Sequence, residues 1–314
     1  MKKIVILGSG FSSLAASCYL AKAGFDVTIL EKNSEAGGRA RQLLKQGFTF
    51  DIGPTFYWMP DVFDRFFSDF GKKPSDFYDL VKLDPGYEVY FGKGDSISIS
   101  EDLEKTKTVF EKIEPGSSAK LQKFINNAKD NYEIAINDLV YKPGQNLMEI
   151  INLRTFGKLN QFIDTIKGQV GRYIKNKKLR QILEFPVLFL GAKPSNTPAF
   201  YNFMNYADLG LGTWHPKGGM YKVVEALKTL TSELGVKIIY DSAAEKINIK
   251  DKKVVSITSN GIEYECNIRI LDLSFPLEHF RTGSSIDREP PVGIPVYNRF
   301  VHPNIQLCLN VIFV

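Results

Sequence analysis

The chain has little of what would indicate a secreted, metal-binding or nucleic-acid-binding protein. Its 3 cysteines are odd in number and far apart, at Cys18, Cys266 and Cys308, so neither a disulfide framework nor a Cys-x-x-Cys metal site is indicated. The net charge of +5, from 40 basic and 35 acidic residues, is too small and too evenly spread to imply nucleic acid. Gly8 and Gly10 interrupt the apolar start, unlike a signal peptide, and no later apolar run is long enough to span a bilayer. These absences predict a cytoplasmic globular protein, with weak attraction to an anionic membrane surface left open.

The first thirty residues have the pattern of a βαβ unit. The apolar run Lys3–Leu7 predicts a buried parallel strand, residues Ser13–Ala23 a helix, and Asp26–Leu30 a second strand. Gly8-Ser9-Gly10 lies in the first turn, where absent side chains let a pyrophosphate approach the positive N-terminus of the helix. Ser13 replaces the third glycine of this pattern and is small enough to be tolerated. The unit therefore predicts a dinucleotide site.

Three further features accompany the glycine turn. Glu31 ends the second strand about twenty residues beyond the glycines, where a carboxylate accepts hydrogen bonds from a ribose 2′-hydroxyl. Gly37-Gly38-Arg39 follows, and then Gly53-Pro54-Thr55. Two glycines let the backbone pass close to a cofactor, and Arg39 can donate charge-assisted hydrogen bonds to a pyrophosphate or a nearby carbonyl. Together these motifs resemble the FAD-binding region of the glutathione-reductase-like flavoproteins, which include amine oxidases and carotenoid desaturases. A nicotinamide-binding module is disfavoured because it would lack the Gly-Gly-Arg.

Three later stretches of the sequence indicate which group of these flavoproteins the chain resembles. Residues 56–63 form an aromatic run, and residues 189–199 and 205–220 follow in the same order as in bacterial-type phytoene (carotenoid) desaturases. The resemblance covers about residues 1–268. It implies an α/β fold in which a Rossmann-like FAD-binding domain carries an inserted α+β, largely helical substrate domain.

The domain boundaries follow from this pattern. The resemblance implies a first part of the FAD-binding domain at 1–95, a cap facing substrate and membrane at 96–217, and a return to the FAD-binding domain at 218–268. In similar flavoproteins the backbone near Ile247 touches the adenine, so Ile247 is a cofactor-binding candidate by position. Within the cap, the basic run 175–180 admits two interpretations. It either lies on anionic lipid with Phe162, Ile166, Ile174 and Leu179 dipped in, or is an ordinary solvated helix face.

The resemblance implies an FAD-dependent oxidoreductase that acts on CH–CH bonds of a long apolar polyene such as phytoene, in carotenoid biosynthesis. Asp208 and His215 are the titratable candidates for catalysis, and a hydrogen-bonding role is favoured for His215 because it has no second ligand. Trp58 and Trp214 are candidate aromatic residues of the substrate cavity. Alternatives are a carotenoid isomerase, a retinol saturase-like enzyme, an amine oxidase or an inactive truncated remnant. We expect no metal and no nucleic-acid partner, and a cytoplasmic location with peripheral contact at the inner face of the membrane as an open alternative.

Residues 269–314 lose the pattern. The resembling family continues with an apolar strand and a glycine-rich motif that closes over the flavin, whereas this stretch has five prolines and weak periodicity. The abrupt loss suggests a frameshift near residue 268. An in-frame family sequence in the underlying DNA would be the test of that hypothesis.

Overall fold

A computed structural model describes residues 2–140, 153–250, 253–266 and 268–271. The described chain divides into two compact units, one formed by the residues up to Thr55 together with those from Gly218 onward, and the other by Phe56–Lys217. The sequence places the first boundary after residue 95 and the return at 218. In the structure the second unit begins at Phe56, the first residue of the aromatic run. It therefore includes the strands at residues 80–82 and 87–92, which the prediction assigned to the FAD-binding domain.

The first unit contains a parallel sheet. Its strands are β1 (Lys3–Leu7), β2 (Asp26–Leu30), β9 (Lys237–Ile239) and β13 (Ile268–Leu271), in the order β13-β1-β2-β9. Helix α1 (Phe11–Lys22) connects β1 to β2, and Ile4, Ile6 and Ile29 are fully buried. Apolar runs of this kind form strands covered on both faces. The α/β prediction is confirmed, and β13 is the last strand of the described chain. The remainder of the predicted tail, residues 272–314, lies outside the described residues.

Further elements complete the first unit. The hairpin of β3 (Gln42–Lys45) and β4 (Phe48–Asp51) follows the Gly-Gly-Arg, and helix α10 (Tyr221–Glu233) follows the return at Gly218. An antiparallel sheet contains β10 (Lys246–Lys250), β11 (Lys253–Ser259) and β12 (Ile262–Glu265). Ile257 of β11 is buried in one apolar cluster with Leu7 and Leu30, which attaches this sheet to the parallel one.

The second unit is mainly helical. The strands described in this unit form two antiparallel pairs, β5 (Leu80–Lys82) with β8 (Trp214–Pro216) and β6 (Tyr87–Gly92) with β7 (Asp95–Ile99). The helices are α2 (Pro60–Ser68), α3 (Leu103–Ile113), α4 (Ser117–Ile134), α5 (Leu153–Phe156), α6 (Asn160–Ile163), α7 (Ile166–Tyr173), α8 (Lys177–Glu184) and α9 (Phe203–Asn205). A π-helical turn, Tyr206–Gly210, continues directly from α9.

The core of this unit corrects one expectation. The membrane interpretation requires three apolar side chains to contact lipid: Ile166, Ile174 and Leu179. In the structure all three are fully buried in the core with Phe110 and Phe124. The basic run instead pairs with acidic side chains of the protein, Lys178 with Asp95 at 2.7 Å and Arg180 with Glu184 at 3.6 Å. The solvated-face interpretation therefore fits this run. Among the described residues, no helix is long and apolar enough to cross a membrane.

Candidate functional site

The glycine turn between β1 and α1 has the geometry expected of a dinucleotide-binding loop. Gly8 has a positive φ of 86°, which glycine adopts without a steric penalty, and its N–H donates to the Leu30 carbonyl at 2.8 Å. Gly10 has an extended backbone and caps α1, a helix of 12 residues. The first N–H groups of a helix have no partner inside it, so this terminus can bind an anion.

The Gly-Gly-Arg motif packs directly on that turn. Gly37 N–H donates to the Ser9 carbonyl at 2.9 Å, and a Cβ at Gly38 would lie 3.2 Å from the Gly10 Cα. The two glycine motifs, predicted separately from the sequence, thus form one side-chain-free surface at the N-terminus of α1. Such a surface fits a pyrophosphate, which needs close approach of the backbone.

The segment from Gly53 to Thr55 lies against the same loop. Gly53 has a φ of 102°, and a Cβ there would clash with the Arg39 carbonyl oxygen. Ile52 N–H also donates to the Arg41 carbonyl at 2.8 Å. Arg39 is exposed, so its guanidinium is accessible to an anion. Pro54 and Thr55 end this part of the first unit.

Glu31 is buried, with 3% of its surface exposed, and its carboxylate accepts four hydrogen bonds. The Ser9 N–H and hydroxyl donate to Oε2 at 2.7 and 2.6 Å, and the Asn33 N–H and side-chain amide donate to Oε1 at 2.9 and 2.6 Å. Glu31 therefore ties the end of β2 to the glycine turn. Two of the four donors belong to side chains, which can rotate away in favour of two ribose hydroxyls. The predicted role of Glu31 toward ribose stays a prediction.

Asp51 was not among the cofactor-binding candidates, although it begins the Asp-x-Gly-Pro stretch that resembles the FAD-binding region. Its Oδ2 accepts the Met220 N–H at 2.6 Å, and a Cβ at Gly219 would clash with the same carboxylate. The two segments are far apart in sequence, so only the fold reveals this contact. The acidic residue before Gly53 thereby fixes the start of α10.

Two other cofactor candidates have structural positions but no described contact with the glycine surface. Ser13 is buried inside α1, where its small side chain is accommodated. Ile247 is buried on β10 and pairs with Ile257 of β11. Their roles stay predictions. Taken together, the turn, the close packing of Gly38 on Gly10, which leaves no room for a Cβ, and the α1 N-terminus fit the ADP half of FAD.

The catalytic candidate Asp208 lies in the second unit, in the π-helical turn, and is 3% exposed. The Tyr87 hydroxyl donates to Oδ2 at 2.6 Å, and the Thr213 hydroxyl lies 3.4 Å from Oδ1. Burial raises the pKa of Asp208 to about 7, although both hydrogen bonds oppose the rise. Burial, followed by the Asp208 charge, also raises the pKa of Tyr87 well above its usual value. Tyr87 therefore stays protonated and acts as the donor. Single-turn π-helices are frequent at functional sites.

Trp58 joins the same network, because its Nε1 donates to the Thr213 hydroxyl at 2.8 Å. Trp58 also belongs to a group of rings, here called the aromatic cluster: Phe56, Trp58, Tyr87, Phe185 and Phe189. Neighbouring ring centroids in the cluster lie 5.0–6.4 Å apart. Trp214 is not in it, since its Nε1 donates to the Leu211 carbonyl and its backbone bonds that of Tyr57. His215 lies on β8 opposite Val81.

The structure thus separates the predicted residues into two groups. The cofactor candidates lie in the first unit, and Asp208, His215, Trp58 and Trp214 lie in the second. Sequence reasoning found Asp208 and Trp58 but missed Tyr87 and Thr213, which connect them. Within the described ranges, no cluster of three or more His, Cys, Asp or Glu side chains is placed to hold a metal ion.

The amino-acid sequence is similar to those of two carotenoid desaturases. The chain is 40% identical over 261 residues to a carotenoid 3,4-desaturase of Haloarcula japonica, an alignment that covers 82% of this chain and 53% of that protein. It is 33% identical over 248 residues to a zeta-carotene-forming phytoene desaturase of Myxococcus xanthus, covering 78% of this chain and 48% of that protein. The chain therefore spans about half the length of these curated relatives.

A solved structure shares the fold. The crystal structure of a CLA-producing fatty acid isomerase from P. acnes superposes with a TM-score of 0.58 at 19% identity, covering 90% of this chain and 61% of the other. The profile of the flavin containing amine oxidoreductases matches residues 11–267, a range that begins directly after the glycine turn and includes the Gly-Gly-Arg and the Asp208 network. The chain belongs to the family of flavin-containing amine oxidoreductases.

Proposed function

We propose that the protein is an FAD-dependent oxidoreductase that desaturates adjacent CH–CH bonds of a long apolar polyene such as phytoene. The observation that carries the proposal is the side-chain-free surface formed by Gly38 on Gly10, in a chain with carotenoid desaturases among its curated relatives. FAD, when bound, supplies the acceptor for a hydride equivalent taken from a C–H bond.

The protein's own residues have distinct parts in this proposal. The N–H groups at the start of α1 and the exposed Arg39 bind the pyrophosphate, since both present positive charge to an anion. Glu31 accepts hydrogen bonds from the ribose, and its charge disfavours a 2′-phosphate. Gly38 packs its backbone against Gly10 and Gly37 packs against Val224 of α10, so neither position has room for a side chain.

A pair of glycine variants tests cofactor binding. Gly38→Ala should weaken FAD binding about tenfold or more. The added Cβ displaces Gly10, and the alanine is held at a positive φ that strains its backbone. Gly24→Ala is the matched control: Gly24 also has a positive φ, in the same unit, but a Cβ there meets no atom within 4 Å. Visible spectra of purified protein titrated with FAD give the affinities. A wild-type protein that takes up no flavin would overturn the proposal.

Turnover separates desaturation from its alternatives. The flavin-loaded protein should convert phytoene into products two hydrogens lighter per step, with absorption at longer wavelength as conjugation lengthens. An isomerase would leave the mass unchanged, a saturase would raise it, and an amine oxidase would act on amines instead. Loss of hydrogen measured by mass spectrometry therefore decides among them.

We also infer a cytoplasmic location with peripheral contact at the inner face of the membrane, because an apolar polyene partitions into lipid. Membrane fractionation with and without high salt tests this. Protein found only in the supernatant under both conditions would contradict membrane contact.

A further inference from the structure

The aromatic cluster of the second unit has its polar ends turned inward. Tyr and Trp at a surface ordinarily direct the hydroxyl or the indole N–H to water and cover apolar neighbours with the ring. Here the Tyr87 hydroxyl bonds the buried Asp208, and the Trp58 N–H bonds the buried Thr213. Both polar atoms are therefore satisfied inside the unit.

None of the five residues of the aromatic cluster is fully buried. Phe189 is 46% exposed and the neighbouring Leu188 is 52% exposed, while Phe56, Trp58, Tyr87 and Phe185 are partly exposed. The Tyr87 hydroxyl and the Trp58 N–H are bonded inside the unit, so the side-chain surface that the cluster exposes consists of ring carbons. Isolated exposed apolar residues are ordinary, but adjoining rings with inward hydrogen bonds form a contiguous apolar surface.

The ring geometry favours a flat conjugated ligand. Phe56 and Trp58 stack with an interplanar angle of 13° and centroids 5.7 Å apart, and Phe189 meets Trp58 edge-on at 5.0 Å. Such faces and edges are the arrangements in which π-systems attract one another. The cluster itself contains no charged side chain, so an amine or a sugar bound there would lose its hydrogen bonds to water without replacement.

We infer that the aromatic cluster binds the conjugated segment of the polyene, and that Asp208 is the positioning residue that fixes Tyr87 directly and Trp58 through Thr213. This inference rests on the proposed function. Without the Asp208 carboxylate, the Tyr87 hydroxyl must hydrogen-bond water or rotate toward solvent. Either change disturbs the arrangement of rings in the aromatic cluster. Asp208 does not contact the ligand in this assignment, and therefore acts through the two rings.

The chemistry of Asp208 variants distinguishes positioning from acid–base catalysis. Asp208→Asn keeps an oxygen that accepts from Tyr87 and an amide that donates to the Thr213 hydroxyl, so the rings stay in place. Asp208→Ala removes both contacts and leaves the Tyr87 and Thr213 hydroxyls without their acceptor. A positioning residue is thus rescued by Asn, whereas an acid or base is lost in both variants.

The test measures binding of detergent-solubilised phytoene, without flavin, by quenching of tryptophan fluorescence. We expect Asp208→Ala to weaken binding about tenfold and Tyr87→Phe about threefold to tenfold, in line with the loss of one or two buried hydrogen bonds. Asp208→Asn should bind within about twofold of wild type. Tyr90→Phe is the matched control, because Tyr90 lies on the same strand β6 and is 73% exposed. It should bind phytoene as wild type does.

The kinetic constants KM and kcat of the flavin-loaded protein give a second measurement. Asp208→Ala should raise KM far more than it lowers kcat, and Asp208→Asn should change neither by more than about twofold. If Asp208→Ala does not fold, as judged by circular dichroism, Tyr87→Phe carries the test. Equal phytoene affinity in wild type and Tyr87→Phe would overturn the inference and leave the proposed function intact. A wild-type protein that binds flavin but no phytoene would overturn both.

Discussion

The raised pKa of the Asp208 carboxyl predicts a specific dependence of stability on pH. Its ordinary pKa is 3.8 and burial raises it to about 7, so between these values the native protein keeps a proton that the unfolded chain releases. The unfolded state then binds fewer protons, and the free energy of unfolding falls as pH rises. At about 1.4 kcal/mol for each pKa unit, Asp208 removes about 4 kcal/mol of stability between pH 4 and about pH 8, and little above that.

Asp208→Asn isolates this contribution, because an amide of nearly the same shape does not titrate. The unfolding free energy of the variant minus that of wild type should rise by about 4 kcal/mol from pH 4 to about pH 8 and then stay constant. Titrations common to both proteins cancel in the difference. The chain has 2 tryptophans, Trp58 and Trp214, both in the second unit, so their fluorescence in urea reports the unfolding of the unit that holds Asp208.

Asp79→Asn provides the control for removing a carboxylate. The Asp79 side chain is 71% exposed and pairs with Lys217 at 3.4 Å, a surface contact of small energetic weight. Its difference from wild type should stay within about 1 kcal/mol over the same pH range. A flat difference for Asp208→Asn, or one that falls with rising pH, would refute the assignment of a buried carboxyl that is neutral in weak acid.

Three further predictions concern the first unit. Gly53→Ala should destabilise the protein by about 2–3 kcal/mol because its Cβ clashes with the Arg39 carbonyl, whereas Gly47→Ala, also at positive φ but in open space, should cost about 1 kcal/mol in thermal or urea unfolding. Ser9→Ala removes one of the donors that occupy Glu31, so FAD should bind about fivefold more tightly by titration, while Ser17→Ala, which removes a buried hydroxyl elsewhere in the unit, should leave affinity unchanged. Asp51→Ala should cost about 1–3 kcal/mol because the Met220 N–H loses its acceptor, and Thr49→Ala on the same strand should have little effect; equal losses in the two variants would contradict the contact.

The local features of this fold are those that the sequence predicts best. Strands β1 and β2 have the predicted bounds, and α1 differs by two residues at its start, because apolar runs and glycines act over a few neighbours. The resemblance predicts that Gly37 and Gly38 lie close to the cofactor, and the structure shows that Gly38 packs on Gly10 of the glycine turn. The contact of these glycines with the cofactor stays a prediction.

Contacts between distant segments were beyond the reach of sequence reasoning. The pairing of Val81 with His215 places two short strands together, and neither strand has enough residues to show a period. Burial of Ile166, Ile174 and Leu179 was missed because a basic amphipathic helix has the same pattern whether its apolar face meets a core or a lipid surface. Tyr87 and Thr213 become partners of Asp208 only after the whole second unit has formed.

The cofactor surface itself depends on both ends of a discontinuous unit. A Cβ at Gly37 would lie 3.2 Å from the Val224 side chain of α10, so this helix forms the back of the Gly-Gly-Arg loop. Asp51 in turn fixes the start of α10 through Met220. Because residues 56–217 separate these contacts along the chain, closing them costs loop entropy that no local motif offsets. The glycine turn can form early, but the complete flavin surface requires the return of the chain at Gly218, and flavin binding should therefore stabilise the contact between the two ends.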